Sequence, residues 1–417
     1  MAGSPRPTAK ATPLAALRFR EFRLLWLGQM ISIAGSQMRI VAVDYHVYDL
    51  ARRTGTINPA FALGMIGLAR VLALILVAPI SGVLADRVDR RMVIIYTSIV
   101  ALVASAILAI ATDQGNPSIW LIYAMVCLTS VATAFEMPAR QAIIPNLVSA
   151  EMLPNALSLN VISWQLATVV GPSLAGVLIA HYGVAPVYWI DAASFIPVVI
   201  TALMMKRQAA AASLKRPGLQ DALEGLRFVF RNRMIASTMV LDFFATFFGA
   251  SRALMPLFAD QVLHVGPLEL GWMYSAPAAG AVVSAVLLSL FTFRRQGPIL
   301  LIAVGIFGVC VALFAVSTWL PLTLLALAGT GAADTVSMII RGTIRQLMTP
   351  NELRGRMVAV NMVFFAGGPQ LGEFQAGVLA SLLGGPFAVL IGGVLCVAFV
   401  IATTLKVPEL RKYDGPA

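Results

Sequence analysis

Gly82-Val83-Leu84-Ala85-Asp86-Arg87-Val88-Asp89-Arg90-Arg91 is the stretch on which the fold turns. It separates two apolar runs, Phe61 to Val83 and Met92 to Ala111, each long enough to cross the ~30 Å hydrocarbon core of a bilayer. Carboxylates and three arginines in so short a turn cannot rest in hydrocarbon. The turn therefore marks one face of a membrane. Gly82 lets two helices approach closely, and Asp86 can pair with basic groups or cap a neighbouring helix.

Composition agrees. The chain has 417 residues, 59% of them hydrophobic and 12% charged, with a mean hydropathy of +0.86. Soluble domains average about 25% charged residues, so a soluble fold is excluded. The net charge of +11 raises the question of nucleic acid, but the placement of the charge answers it. Of the 30 Lys and Arg, Arg39, Arg70 and Arg252 fall inside expected spans and Arg52 and Arg53 in opposite-face loops. The rest lie in the termini, in alternate loops or at the span ends that adjoin them, as Arg23, Arg356 and Lys406 do. This is the positive-inside pattern, with anionic headgroups as the neighbour and both termini cytoplasmic; no nucleic-acid partner is expected.

Residues 1–21 carry Pro5, Pro7 and Pro13 and no apolar core, so they read as a cytoplasmic leader rather than a signal peptide. Cys127, Cys310 and Cys396 lie in apolar runs as small packers. His46, His181 and His264 are scattered, with no metal-ligand spacing. There is no phosphate-binding G-x-x-x-x-G-K-[ST] loop. No enzyme chemistry and no cofactor or metal is expected.

Taken in order, the apolar runs predict spans over 22–47, 60–83, 92–111, 118–137, 154–180 and 185–205. A polar linker follows over 206–233, in which Leu219, Leu223, Leu226 and Phe230 form one stripe of a helix. That helix either lies on the membrane surface or packs on the bundle. Six further spans are expected over 234–258, 267–292, 298–316, 319–340, 356–382 and 386–406, with a cytoplasmic tail over 407–417. The predicted fold is all-α: twelve transmembrane helices in two pseudo-symmetric bundles, 22–205 and 234–406.

The halves also repeat in sequence. A shift of 201 positions lays Arg140 on Arg341, Glu151 on Glu352, Asn160 on Asn361 and Gly171 on Gly372. It also lays Ala175-Gly176-Val177-Leu178 on Ala376-Gly377-Val378-Leu379. Both halves start on the same face, so the repeat is parallel, about an axis along the membrane normal.

The opening stretch resembles the loop signature G-x-L-A-D-R-x-G-R-R of the major facilitator superfamily, with Asp89 where that family has glycine. Gly171-Pro172-Ser173-Leu174-Ala175-Gly176 is similar to the fifth-helix G-P-x-x-x-G run of its drug–proton antiporters. Pro138-Ala139-Arg140-Gln141-Ala142-Ile143-Ile144-Pro145-Asn146-Leu147-Val148 resembles the enterobactin-exporter-like and macrolide-efflux-like branch, as does Phe22-Arg23…Trp26…Gly28-Gln29. The resemblance implies two six-helix bundles around a central cavity lined by the first, fourth, seventh and tenth helices. It also implies a gating loop of Gly82, Asp86, Arg87, Arg90 and Arg91, and a sealing role for Gly171, Pro172 and Gly176. The arginine-bearing fourth-helix motif of many antiporters is absent.

Ionisable groups inside spans are costly, and each is a functional candidate. Arg39, Asp44, Arg70, Asp242, Arg252, Asp334 and Glu373 form the expected substrate and proton pathway, with Glu136 and Arg140 at the inner mouth. Arg70, near mid-membrane, needs a carboxylate. Because the superfamily brings its second and eleventh helices together, Glu373 is the expected partner, with Asp242 or Asp44 as rivals. Arg39 and Asp44, five apart, face different partners. Asp191 and Asp260 read as helix caps.

The expected function is secondary active export of a small amphipathic molecule (drug, macrolide or siderophore-like) by alternating access. The proton gradient supplies the energy, and the protein works as a monomer in the cell membrane. A nutrient importer of the same fold and a transport-dead membrane sensor are the alternatives.

Overall fold

The computed structural model describes residues 14–87, 89–115, 117–206, 219–290 and 294–415, without the side chains of 78–87, 219–222 and 351. In chain order the helices are α1 (Arg20–Thr54), α2 (Pro59–Arg87), α3 (Arg90–Asp113), α4 (Ile119–Ile143), α5 (Leu153–Tyr182) and α6 (Ala185–Met204). Then come α7 (Leu219–Arg231), α8 (Arg233–Phe248), α9 (Met255–Gln261), α10 (Pro267–Leu290), α11 (Gln296–Val316), α12 (Leu320–Met348), α13 (Arg354–Leu383), α14 (Gly385–Lys406) and α15 (Pro408–Arg411). Local chemistry sets the ends. Gly55 closes α1 in the left-handed conformation at φ 61°. Asn58 accepts from the amides of Ala60 and Phe61 at 2.9 and 3.3 Å, and Asn232 accepts from Met234 and Ile235 at 3.2 Å each.

Ten stretches among the described residues are long and apolar enough to cross a membrane. The two remaining long helices of the expected twelve, α1 and α13, fail on composition. Arg39 and Asp44 interrupt α1, while Asn361, Gln370 and Glu373 interrupt α13. Both are packed among the others: α1 lies against α5 and α6, and α13 against α2 and α8. A helix can carry such residues where they face protein rather than lipid. The outward surface is apolar, with Leu76, Leu290, Leu325 and Leu405 about 70% exposed.

The repeat is visible in the coordinates. The bounds of α5 moved by 201 positions are those of α13, and the starts of α4 and α12 coincide in the same way. The halves meet along a seam of two crossings, α2 with α13 and α5 with α10. The start of α1 and the end of α14 lie on one side, here the terminal face; the opposite side is the far face.

The seventh span corrects the expectation of one helix over 234–258. α8 stops at Gly249, a 3-10 turn runs over Arg252–Leu254, and α9 restarts with Pro256 in its first turn. The linker helix α7 packs on the bundle with one face. Its Val229 is buried with Ile235, Met239 and Met357, and Glu224 meets Arg356 at 2.5 Å. Leu223, Leu226 and Phe230 face outward.

Candidate functional site

At the centre of the seam Arg70 reaches two acids from two halves. Its Nη1 lies 3.2 Å from Glu373 Oε2 and its Nη2 3.5 Å from Asp44 Oδ1. Tyr274, from α10, donates its hydroxyl to the other oxygen of Asp44 at 2.8 Å. The expected Arg70–Glu373 pair is present, and the rival Asp44 shares the same guanidinium. Towards the far face the contacts continue. Asp260 accepts from Tyr48 at 2.6 Å and from Arg52 at 2.8 Å, which corrects its reading as a cap.

Backbone closeness brings these groups together. Gly64 and Gly377 face each other across α2 and α13, where a Cβ built on Gly377 would lie 2.5 Å from the Gly64 Cα. At the other crossing a Cβ on Gly176 would lie 2.6 Å from the Pro267 carbonyl oxygen and 2.9 Å from the Gly271 Cα. The fifth-helix motif thus serves two contacts, because Gly171 packs on Gln37 of α1. Pro172 cannot complete the helical ladder of α5. Beside it Ser275 donates to the Val169 carbonyl at 2.7 Å and lies 2.8 Å from the Ser173 hydroxyl. Among the described residues, no hydrogen bond or ion pair joins the two halves near the terminal face. The far side of the seam is closed.

Two further buried clusters lie one in each half. Arg39 Nε sits 2.8 Å from Asp191 Oδ2, and Ser105 donates to the same oxygen at 2.5 Å. Asp191 is fully buried, so it is an ion-pair partner and not the cap expected. In the other half Arg341 is 1% exposed and its Nη2 meets Asp242 at 2.9 Å and Asp334 at 3.3 Å. Arg345, one turn on, donates to Asn361 at 2.6 Å. Arg341 and Arg345 were missed as intramembrane candidates because the apolar run ends at Ile340, whereas α12 continues to Met348. The signal was there: Arg341 is the repeat mate of Arg140.

A cavity of about 260 Å³ opens between α1, α4 and α5. Ser36 and Gln37 of α1, Thr129 and Thr133 of α4, and Trp164 of α5 line it, with Phe195 behind. Four charged residues also line it: Arg39, Glu136, Arg140 and, alone from the second half, Arg252. Arg140 pairs with Glu136 one turn earlier. The cavity is therefore lopsided, set mostly in the first half, where four central helices were expected to share it. Asp44, Arg70, Asp242, Asp334 and Glu373 do not line it; they belong to the seam and to the Arg341 cluster, in which Arg341 and Asp242 are buried and the Asp334 side chain is 43% exposed.

The loop candidates divide. The side chains of Gly82, Asp86 and Arg87 lie outside the described residues. Asp89, in place of a glycine, caps α3 by accepting from the Arg91 amide at 3.0 Å. Arg90 donates to the Ala142 carbonyl and Arg91 to the Leu203 carbonyl, both at 2.7 Å. Guanidinium groups on the C-terminal carbonyls of α4 and α6 complement the helix dipoles. Both contacts stay within the first half.

A family model described as transmembrane secretion effector matches residues 11–416. The chain belongs to that family, within the major facilitator superfamily. It is 25% identical over 403 residues to the enterobactin exporter EntS of Citrobacter koseri, covering 95% of this chain and 94% of the relative. It is 24% identical to macrolide efflux protein A of Streptococcus pyogenes, over 94% and 97% of the two chains. Among solved structures the nucleoside transporter NupG superposes with a TM-score of 0.71 at 14% identity, covering 94% of this chain and all of the other. A POT family transporter bound to 5-aminolevulinic acid reaches 0.76 at 9% identity, over 94% and 97%. These neighbours show the fold. The protein is a multi-pass membrane transporter with efflux relatives, not an enzyme.

Proposed function

We propose that this transporter exports a small amphipathic molecule by alternating access, with inward proton movement as the energy source, and that it works as a monomer with both termini in the cytoplasm of a bacterial cell. The observation that carries the reading is the pairing of Arg70 with Asp44 and Glu373 across the closed far seam, beside a cavity that reaches Glu136 and Arg140 in the last turns of α4. Cargo from the terminal face can enter that cavity while the seam blocks the far face.

A proton on Asp44 or Glu373 removes one of the two charges that hold Arg70. Protonation and opening of the far seam therefore favour each other, which is the linkage a proton-driven exporter needs. Proton binding from the far side and release towards the terminal face would then accompany each cycle. The Asp242–Arg341–Asp334 cluster lies wholly in the second half and reads as a static support. The efflux relatives favour the outward direction, with uptake of a nutrient by the same cycle as the alternative.

Reconstitution into liposomes with an imposed pH gradient tests this, using candidate amphipathic compounds as cargo. Wild type is expected to move protons with cargo. Asp44→Asn is expected to cut proton-coupled transport by roughly tenfold or more, a change of ~1.4 kcal/mol or above. Unchanged coupling in both Asp44→Asn and Glu373→Gln would sink the assignment of proton and gate to this seam. Accumulation inside vesicles of known orientation would reverse the direction.

A further inference from the structure

The cavity holds three arginines that differ in what they touch. Arg39 is engaged by Asp191 at 2.8 Å and donates to Thr129 at 3.1 Å. Arg140 is held by Glu136. Arg252 has neither kind of partner: its Nε and Nη2 are buried and, among the described residues, make no hydrogen bond. It lies over the Tyr274 ring, with the guanidinium carbon 5.4 Å from the ring centroid, and it interacts through space with the carboxylates of Asp44 and Glu373, the two acids that Arg70 engages directly. A cation–π contact of this kind is worth about 1–2 kcal/mol. The two seam acids offset its charge only at a distance and are shared with Arg70, and among the described residues no carboxylate forms a direct ion pair with it.

The placement of Arg252 is built into the chain. The break after Gly249 puts it on the 3-10 turn between α8 and α9, and that turn packs against α2 and α13 at the seam. Interrupted spans are where transporters of other folds hold their substrates, because backbone and side chains there are free to face a compartment. Glu136, the one acid in the lining, is taken by Arg140. The lining is thus cationic on balance, with Trp164, Phe195 and Met137 supplying apolar wall.

We infer that the cavity receives the acidic group of an amphipathic organic anion (a carboxylate, sulfonate or phenolate) on Arg252, with its apolar body against Trp164 and Phe195. The inference rests on the transport reading of the same cavity and narrows its cargo. A guanidinium favours bidentate contact with a carboxylate-sized group, and Nε and Nη2, shut off from solvent and without an acceptor among the described residues, become available to one when the side chain turns further into the cavity that it lines. A cationic molecule would instead meet a guanidinium that has no carboxylate in direct contact among the described residues. Arg252 also stacks on the tyrosine whose hydroxyl holds Asp44, so an anion drawn onto it sits one side chain away from the seam.

The test needs no identified cargo. In a variant with Cys127, Cys310 and Cys396 replaced by alanine, Thr133→Cys places one thiol in the cavity wall. Labelling rates are measured for methyl methanethiosulfonate and for its anionic sulfonatoethyl and cationic trimethylammonioethyl analogues, each divided by the rate with glutathione. The expected result is a preference for the anionic over the cationic reagent of about tenfold or more, the scale on which a charged cleft raises local ion concentration. Arg252→Gln should abolish the preference and Arg252→Lys should keep most of it, which separates loss of charge from loss of fold. Equal rates for the two charged reagents, or a preference that survives Arg252→Gln, would overturn the inference and leave the transport reading standing. Failure of the neutral reagent to label at all would show a closed cavity and overturn both.

Discussion

Arg341 shows how much can rest on one buried ion pair. It is enclosed among α8, α11 and α12, and Asp242 beside it is 2% exposed. Two buried opposite charges lose their hydration, and their attraction roughly returns what was lost, so the pair itself adds little net stability. Removing one partner is different, because the other is then left charged in an apolar setting. Arg341→Met is therefore expected to destabilise the protein by about 3–5 kcal/mol, read as a lower midpoint of thermal unfolding in detergent. Adding Asp242→Leu should recover more than half of the loss, as both charges then leave together. No recovery in the double variant would mean that Arg341 is needed for a reason other than neutralising Asp242. At this scale the sequence was half legible. That Arg70 requires an acid follows from its depth, and Glu373 and Asp44 both answer. That Asp191 would pair with Arg39 was hidden, because it depends on Gly35: a Cβ there would lie 2.4 Å from the Ser194 hydroxyl. Only a glycine lets α6 come so near α1 and carry Asp191 within reach.

Between elements, the far closure depends on two crossings of glycine on glycine rather than on large side chains. Small residues let backbones approach and gain dispersion contact where lipid offers no hydrophobic drive. The same closeness makes the contact specific to one state, since any added atom collides only when the seam is shut. Gly176→Val is expected to penalise the far-closed state by about 1–3 kcal/mol, the usual cost of overpacking. Each 1.4 kcal/mol is about a tenfold shift between states, so the variant should rest with its far face open. A cysteine at Ser173 would then label faster from the far side, while the thermal midpoint moves little. Slower labelling, or no change, would show that the α5–α10 crossing does not set the resting state. The fifth-helix breakers were plain in the sequence, and the α2–α13 crossing was expected from the resemblance. The break in the seventh span was not, because Gly249-Ala250-Ser251 lies in an otherwise apolar run and one glycine among alanine and serine is no strong stop.

For the whole molecule, the repeat and the asymmetry must be held together. Under the shift of 201 positions α5 falls on α13, the start of α4 on that of α12, and α6 within one residue of α14 at each end, so the later spans of the two halves are built alike. Yet the cavity lies mostly in the first half and the Arg341 cluster fills the corresponding place in the second. Arg140 shows why. It is the repeat mate of Arg341, but it lies one helical turn from Glu136, where the second half has Ser337. A pair within one helix leaves the space beside it open, whereas Arg341 must reach across to Asp242 on α8 and closes that space. One half is thus a braced body and the other the wall of a compartment, and in the cycle proposed above the two rock about the seam. Locking the seam tests this. The hydroxyls of Ser173 and Ser275 are 2.8 Å apart, which brings cysteines at these positions within the ~3.5–4.5 Å Cβ separation a disulfide requires once the side chains adjust. Oxidised Ser173→Cys/Ser275→Cys protein is expected to lose transport and to regain it on reduction. The neutral thiol reagent should still reach Thr133→Cys from the terminal face in both forms. Transport that continued with the bridge closed would mean cargo crosses without parting α5 from α10, and the rocking of two halves about this seam would have to be given up.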